Sequence, residues 1–464
     1  MLDLNRNLDE IEQINKLSGG YKPILLEKNS MARFLFASVP LTGHVNLGLP
    51  IVRELVNRGH EVGWYTGKHF QREVEATGAR FFPRKAARDF NALYIGDEFP
   101  EKKGLNGLAS LKFDVKHLFL DSIPGHVADL TEILNHFPAD VVVSDGSFFG
   151  MEGLHKDLQC GWAAYGISCL CSHSADVPPF GIGIKHSQSV FAPMRNRLLN
   201  YLAEQVVGRD VMKYYDKIRS GLELGPSPHY LANVIINEVD LFLQPSIPTF
   251  EYPRNDLPRT IHFVGAYFPQ TLAPFLPPPW WEELQSAPAV VHVTQGTLST
   301  NYTDLLTPTL QALAKENCLV VATTGGKPVE LLGMDSVPSN VRMMPFIPHQ
   351  HLLPLVDVMV TNGGYGGVQM ALANGVPLVA AGRTEEKPEI CARIQWSGAG
   401  INLKTQKPTP ARIRQAVRKI LENPSFKKNA QRLKAEYQQY DSPKLAADLL
   451  EQLAYAKHPI LRLN

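Results

Sequence analysis

Short apolar runs bounded by turn residues recur along this chain, and most are followed by sequence with a helical period. ARFLFASVP (32–40) is the first such run. The turn LTGHVN follows, and GLPIVRELVNRG then places Leu49, Val52, Leu55 and Val56 on one helical face before Gly59 stops it. HEVGWYTG is the next strand, which completes a strand–helix–strand unit. ADVVVSDGSFFG (139–150) and GWAAYGISC read as further strands and residues 185–224 as helical sequence. VDLFLQPS (239–246) and TIHFVGAYF (260–268) read as two late strands. PQTLAPFLPPPWWEELQSAP (269–288) then interrupts the pattern, because proline suits neither a helix interior nor a central strand. Beyond it the alternation restarts: AVVHVTQGT, CLVVATTGG, VRMMPFIP, VMVTNGG and VPLVAAG are strands, most followed by helix-like sequence. Residues 409–453 are helical, opened by Thr409 and Pro410. This pattern predicts an α/β fold of two doubly wound, Rossmann-like domains. The expected boundaries are an extension over 1–30, a first domain over 31–268, a proline-rich linker over 269–288, a second domain over 289–435, and a C-terminal helix over 436–464 packing back on the first domain.

Composition narrows the function classes. The 464 residues carry 46 basic and 45 acidic side chains, with no basic excess of the kind nucleic-acid binders show, so no nucleic-acid partner is expected. No apolar run reaches the roughly 20 residues of a transmembrane helix; weak membrane association is the most that is expected. The N-terminal segment MLDLNRNLDEIEQINKLSGG lacks a signal-peptide core, although Leu8, Ile11, Ile14 and Leu17 repeat at helical spacing; Met31 is an alternative start. Cys160, Cys169, Cys171, Cys318 and Cys391 have no zinc-like spacing. They read as reduced, buried thiols of a cytoplasmic protein, with no metal and no cofactor.

Two constellations carry chemistry. In VMVTNGGYGGVQMALANGVPLVAAG (358–382), Gly363, Gly364, Gly366 and Gly367 crowd the passage from a strand into a helix. One glycine serves a turn; four argue for close approach of a ligand to backbone N–H groups at a helix N-terminus, where phosphate is favoured. The spacing is not that of the dinucleotide fingerprint, and the P-loop lysine is absent. Second, Gly43 and His44 lie in the turn after the first strand, where an imidazole faces the crevice and can take a proton near neutral pH. Asp145, ending VVVSD, stands at the same sheet edge, as a carboxylate that orients a histidine must.

From about Arg33 to Leu453 the chain resembles a family 1 glycosyltransferase of the two-domain GT-B fold, close to bacterial natural-product enzymes. GHVNLGLPIVRELVNRGHEV is similar to the family's N-terminal signature, FIPHQHLLPLVDVMVTNGGYGGVQMALANGVPLVAAG to its donor-nucleotide signature, and EEKPEICARIQWSGAG to its sugar-recognition segment. The resemblance implies a nucleotide-sugar donor, a small-molecule acceptor, His44 as general base and Asp145 as its orienting carboxylate. It implies that the four glycines, with Gly43 and Thr297, serve the donor diphosphate, that Phe346 stacks on the base, and that Ile347 and His349 stand beside it. No Asp-x-Asp pair occurs, which fits metal-independent transfer. Five positions depart from the family pattern. Asn362 replaces a histidine, Gly367 a serine or threonine, and Met370 a ribose-binding glutamate for which Gln369 substitutes. Glu386 and Lys387 replace an Asp-Gln pair, with Lys387 expected to pair with Glu389. Phe148, Phe149 and His173 are the candidate acceptor pocket, gated by SHSADVPPFGIG (172–183). An epimerase-like enzyme with the same donor site, and a non-catalytic nucleotide-sugar binding protein, stay open as alternatives.

Overall fold

A computed structural model of the chain describes residues 31–463 apart from 92–94, 106, 155–159, 269–274, 297–298, 300 and 333–336. The extension over 1–30 and the donor candidate Thr297 lie outside the described residues. The first sheet contains β1 (Arg33–Ala37), β2 (Glu61–Thr66), β3 (Arg80–Pro83), β4 (Val141–Asp145), β5 (Gly161–Tyr165), β6 (Leu241–Gln244) and β7 (Ile261–Phe263), in the order β3-β2-β1-β4-β5-β6-β7. The second contains β8 (Val290–Thr294), β9 (Leu319–Thr323), β10 (Val341–Met344), β11 (Val358–Thr361), β12 (Leu378–Ala380) and β13 (Gly400–Asn402), in the order β10-β9-β8-β11-β12-β13. Every pairing is parallel. The helices that shape the site are α1 (Thr42–Asn57), α2 (Tyr365–Ala373), α3 (Lys387–Trp396) and α4 (Ser442–Ala456).

Parallel strands covered on both faces need apolar side chains along most of their length, and the inner strands have them, with polar residues mainly toward their carboxyl ends. In β1, Phe34 and Phe36 enter the core beneath α1, while Leu35 and Ala37 enter the core on the opposite face. In the second sheet Val291, Val293, Val358 and Val360 face one core and Val290 and Met359 the other. The sequence reads LTGHVN as a turn, but α1 already begins at Thr42 and runs through Pro50. Gly48 is what lets it lie so close to the sheet: a Cβ there would stand 2.7 Å from the Trp64 ring.

Helix α4 returns to the first domain. Leu449, Leu450 and Leu453 join the core that α1 covers, and Arg58 bonds Asp448 at 2.6 Å and Glu451 at 3.0 Å. The proline-rich segment is not a tether over its described part. Phe275 stacks on His351 at 4.7 Å, and Leu284 is buried in the core under α2, because the segment carries large rings to bury. Among the described residues no helix is long and apolar enough to cross a membrane.

Candidate active site

Each sheet has one place where the strand order reverses, between β1 and β4 and between β8 and β11. In open parallel sheets ligands bind beyond the carboxyl ends of the strands at that place. The candidate residues gather there in both domains.

In the first domain, α1 follows β1 and carries His44 in its first turn, while Asp145 is the last residue of β4. The two strands are neighbours, so the side chains meet: His44 Nδ1 lies 3.2 Å from Asp145 Oδ1. The approach is not aligned as a straight hydrogen bond, so the pairing is electrostatic in this conformation. Asp145 is fully buried and held by two backbone donors, Val39 N–H to Oδ2 at 2.7 Å and Ser147 N–H to Oδ1 at 2.7 Å. A carboxylate fixed beside Nδ1 favours the proton there and leaves Nε2 with a free lone pair. Tyr165, on β5, donates its hydroxyl to the His44 carbonyl at 3.1 Å, and the Phe119 ring stacks on the imidazole at 6.1 Å. Gly43 is exposed beside it, with open space where a Cβ would stand.

In the second domain the four glycines divide into two kinds. Gly363 is buried at φ +87°, and a Cβ there would stand 2.8 Å from Cys391 Sγ, so backbone and packing both demand glycine. Gly364, Gly366 and Gly367 are different. A Cβ at Gly366 would meet nothing within 4 Å, and at the other two it would make only ordinary contacts at 3.6–3.8 Å. The protein itself does not exclude side chains at these three positions, and no side chain caps α2. Open space over unsatisfied N–H groups at a positive dipole end is what a diphosphate fits. Asn362 stands beside it and commits one amide N–H to the Gln295 carbonyl at 2.6 Å. Gln295 in turn accepts from Leu305 N–H and Leu306 N–H, which orders the loop after β8.

The remaining donor candidates are placed as follows. The Phe346 side chain is 55 % exposed, whereas Ile347 is a core residue that offers only backbone to a ligand. His349 leans on a partner that the sequence did not reveal, His292 of β8, with the two Nε2 atoms 3.4 Å apart. His292 Nδ1 faces the Val321 carbonyl at 2.9 Å and so carries the proton. Its Nε2 therefore accepts from His349 Nε2–H, which leaves His349 Nδ1 as an acceptor. Burial pushes His292 down to about 3 and His349 down to about 4, so both stay neutral at ordinary pH. Burial likewise raises the Glu386 carboxyl above its usual range, and the charge of His44 acts on it in the opposite sense.

Several expectations are corrected. Gln369 does not face the donor side: it lies on the opposite face of α2, accepting from the Tyr437 hydroxyl and donating to Ser246 Oγ at 3.4 Å, because that face packs against the first domain. Lys387 pairs with Glu385 and Thr384 Oγ1 rather than with Glu389, whose carboxylate turns inward to Arg393. Phe148 is a core residue, fully buried and stacked on His126 at 4.3 Å, so it lines no acceptor pocket. Phe149 is half-buried against Tyr215 at 6.0 Å. His173 is engaged within its own region by Glu204 at 2.5 Å and the Tyr230 ring at 4.7 Å. The aromatic ring beside the candidate base is instead Phe119, in a segment with no distinguishing motif.

Comparison with known proteins agrees with this geometry. Residues 308–453 match the family model described as erythromycin biosynthesis protein CIII-like, C-terminal domain. The chain is 44% identical over 424 residues to 4'-demethylrebeccamycin synthase of Lentzea aerocolonigenes, covering 91% of this chain and 99% of that one. It is 34% identical over 448 residues to UDP-glycosyltransferase 2 of Phaeomoniella chlamydospora, covering 93% and 98%. The crystal structure of the glycotransferase of kitacinnamycin superposes with a TM-score of 0.70 at 20% identity, over 91% of this chain and 98% of that one, which speaks to the fold. With a switch point in each of two parallel sheets, and relatives matched along nearly their whole length, the chain belongs to the family 1 natural-product glycosyltransferases of GT-B fold, the UDP-glycosyltransferase-like enzymes.

Proposed function

We propose that this enzyme is an inverting, metal-independent hexosyltransferase that moves a sugar from a UDP- or dTDP-sugar to a hydroxyl of a small, apolar natural-product acceptor. The observation that carries the reading is His44 against the buried Asp145 at one switch point, with the uncapped glycine N-terminus of α2 at the other. His44 Nε2 takes the acceptor hydroxyl proton as the oxygen attacks the anomeric carbon. The bond from that carbon to the diphosphate oxygen breaks, and its electron pair leaves with the nucleoside diphosphate. One displacement inverts the anomeric centre. Asp145 stabilises the imidazolium that forms, and the α2 N–H groups with the Asn362 amide receive the leaving charge. The name of the fungal relative supports a UDP donor, and that of the bacterial synthase supports a natural-product acceptor. Phe119 against His44 supports an apolar acceptor. Free cysteines at all five positions suit a reducing compartment such as the cytoplasm.

Calorimetric titration with UDP, dTDP and NAD, without added metal, tests the donor assignment. Saturable binding of UDP or dTDP and none of NAD is the expected result, and binding of NAD alone overturns it. Transfer by the EDTA-treated enzyme is expected to match that in magnesium; a rate lost to chelation and restored by the cation overturns metal independence.

Lys387 supplies a pH signature. Burial pushes its ammonium down to about 8, and Glu385, being exposed, is screened by water and offsets this little. Lysine is cationic below that value and neutral above it. Donor-sugar affinity is therefore expected to fall a few-fold, about 1 kcal/mol, between pH 7 and pH 9. Lys387→Met should flatten the profile; an unchanged slope in that variant removes Lys387 from the donor site.

A further inference from the structure

The segment 181–183 belongs to the first domain by sequence, but the second domain holds it. Glu389, in the first turn of α3, accepts Gly181 N–H at 3.1 Å and Gly183 N–H at 2.6 Å on one carboxylate oxygen. Its other oxygen accepts Arg393 Nη1–H at 3.2 Å, and Arg393 Nε–H goes to Glu251 of the first domain at 3.1 Å. All three charged side chains are 2–3 % exposed. Glu251 also accepts Leu170 N–H at 3.2 Å, and the Arg393 guanidinium lies 4.2 Å over the Tyr252 ring. The two glycines have positive φ, +98° at Gly181 and +66° at Gly183. A Cβ on Gly183 would stand 2.8 Å from the Pro388 carbonyl oxygen. Phe180, just before them, packs against the core of the second domain.

A buried charge held this way is poor evidence of stability, since apolar side chains would pack there at no greater cost. What it gives is register: removing Glu389 leaves Arg393 to Glu251 alone and the two loop N–H groups without their acceptor. The same helical turn begins with Lys387 after its N-cap Glu386, whose carboxyl lies within electrostatic reach of His44. We propose that Glu389 is a positioning residue that makes residues 181–183 move with the first turn of α3, so that a nucleotide-sugar engaging Glu386 and Lys387 also sets the loop on the acceptor side. This rests on the donor reading given above. By linkage, acceptor engagement with the loop then strengthens donor binding by the same factor.

Hydrogen–deuterium exchange of the full chain, with and without UDP-glucose or dTDP-glucose, tests it. In the wild type, exchange over 177–184 is expected to slow on adding whichever nucleotide-sugar calorimetry shows to bind. Glu389→Gln should retain the response with faster basal exchange, because its amide oxygen still accepts both N–H bonds while its NH2 replaces the acceptor that Arg393 had there. Glu389→Ala should exchange about tenfold faster over this segment and lose the response, with the calorimetric Kd for the nucleotide-sugar within about threefold of wild type. Gly183→Ala attacks the same contact from the first domain and should behave like Glu389→Ala, so a single misfolded variant leaves the test intact. Binding in the wild type with no change over 177–184, or a Glu389→Ala protein that keeps the response, overturns the coupling. Binding of neither nucleotide-sugar to the wild type overturns the donor reading itself.

Discussion

His44→Ala is expected to lower kcat by about 10²–10⁴-fold, the range that general-base catalysis contributes, while UDP or dTDP binds with nearly wild-type affinity. The separation follows from the architecture. His44 and its partner Asp145 belong to the first domain, and the glycine-rich helix start belongs to the second. Removing the imidazole takes no contact from α2. Asp145 keeps its two backbone donors, so the carboxylate stays in place without the histidine. The single-turnover rate and the calorimetric Kd, measured on one preparation, separate the two effects. A variant with full turnover shows that another group takes the acceptor proton. A variant that loses nucleotide binding along with turnover shows that His44 holds the cleft together rather than acting on the acceptor.

The second large effect separates glycines that the sequence presents as equivalent. Gly366→Val puts its Cβ where no atom beyond its chain neighbours and the helix's own backbone stands within 4 Å, so packing gives the fold little reason to resist it. Leaving glycine inside a helix should, if anything, stabilise α2 by a few tenths of a kcal/mol. Nucleotide affinity is expected to drop by at least about tenfold, or 1.4 kcal/mol, because the new side chain occupies the space over the helix N-terminus. Gly363→Ala should show the opposite balance. Its positive φ and the Cys391 sulfur 2.8 Å from the new Cβ make it destabilising by about 1–3 kcal/mol. Thermal unfolding beside calorimetry reads both. Unaltered UDP and dTDP binding by Gly366→Val would mean that the open space serves something other than the donor diphosphate.

Much of this was legible before any coordinates. A strand buried on both faces must be apolar along its length, so runs such as VVVSD and VMVT announce themselves. The strands that were not legible are β3 and β13, which lie at opposite edges of their sheets. Each is short, has one neighbour, and includes Pro83 or Gly400, so each lacks the continuous apolar signal. The start of α1 was hidden for a related reason. Gly48 and Pro50 are poor helix formers, and they are tolerated because the helix must approach Trp64 closely and its later turns bury Ile51, Val52 and Leu55. The alternation could not show that residues 275–288 fold onto the second domain, since their rings find His351 and the core under α2 only in three dimensions.

The sequence by itself determined which residue types could do chemistry and on which element each would sit: a histidine after β1, a carboxylate ending β4, glycines after β11. Strand order and the facing of side chains were decided by the tertiary structure. Those are properties of pairs of distant segments, and one chain's local periodicity carries no term for them. That is why Gln369 turned out to face Ser246 and Tyr437, why Phe148 proved to be core, and why His292, Phe119 and the Glu251–Arg393–Glu389 bridge came into view only once the two sheets stood against each other.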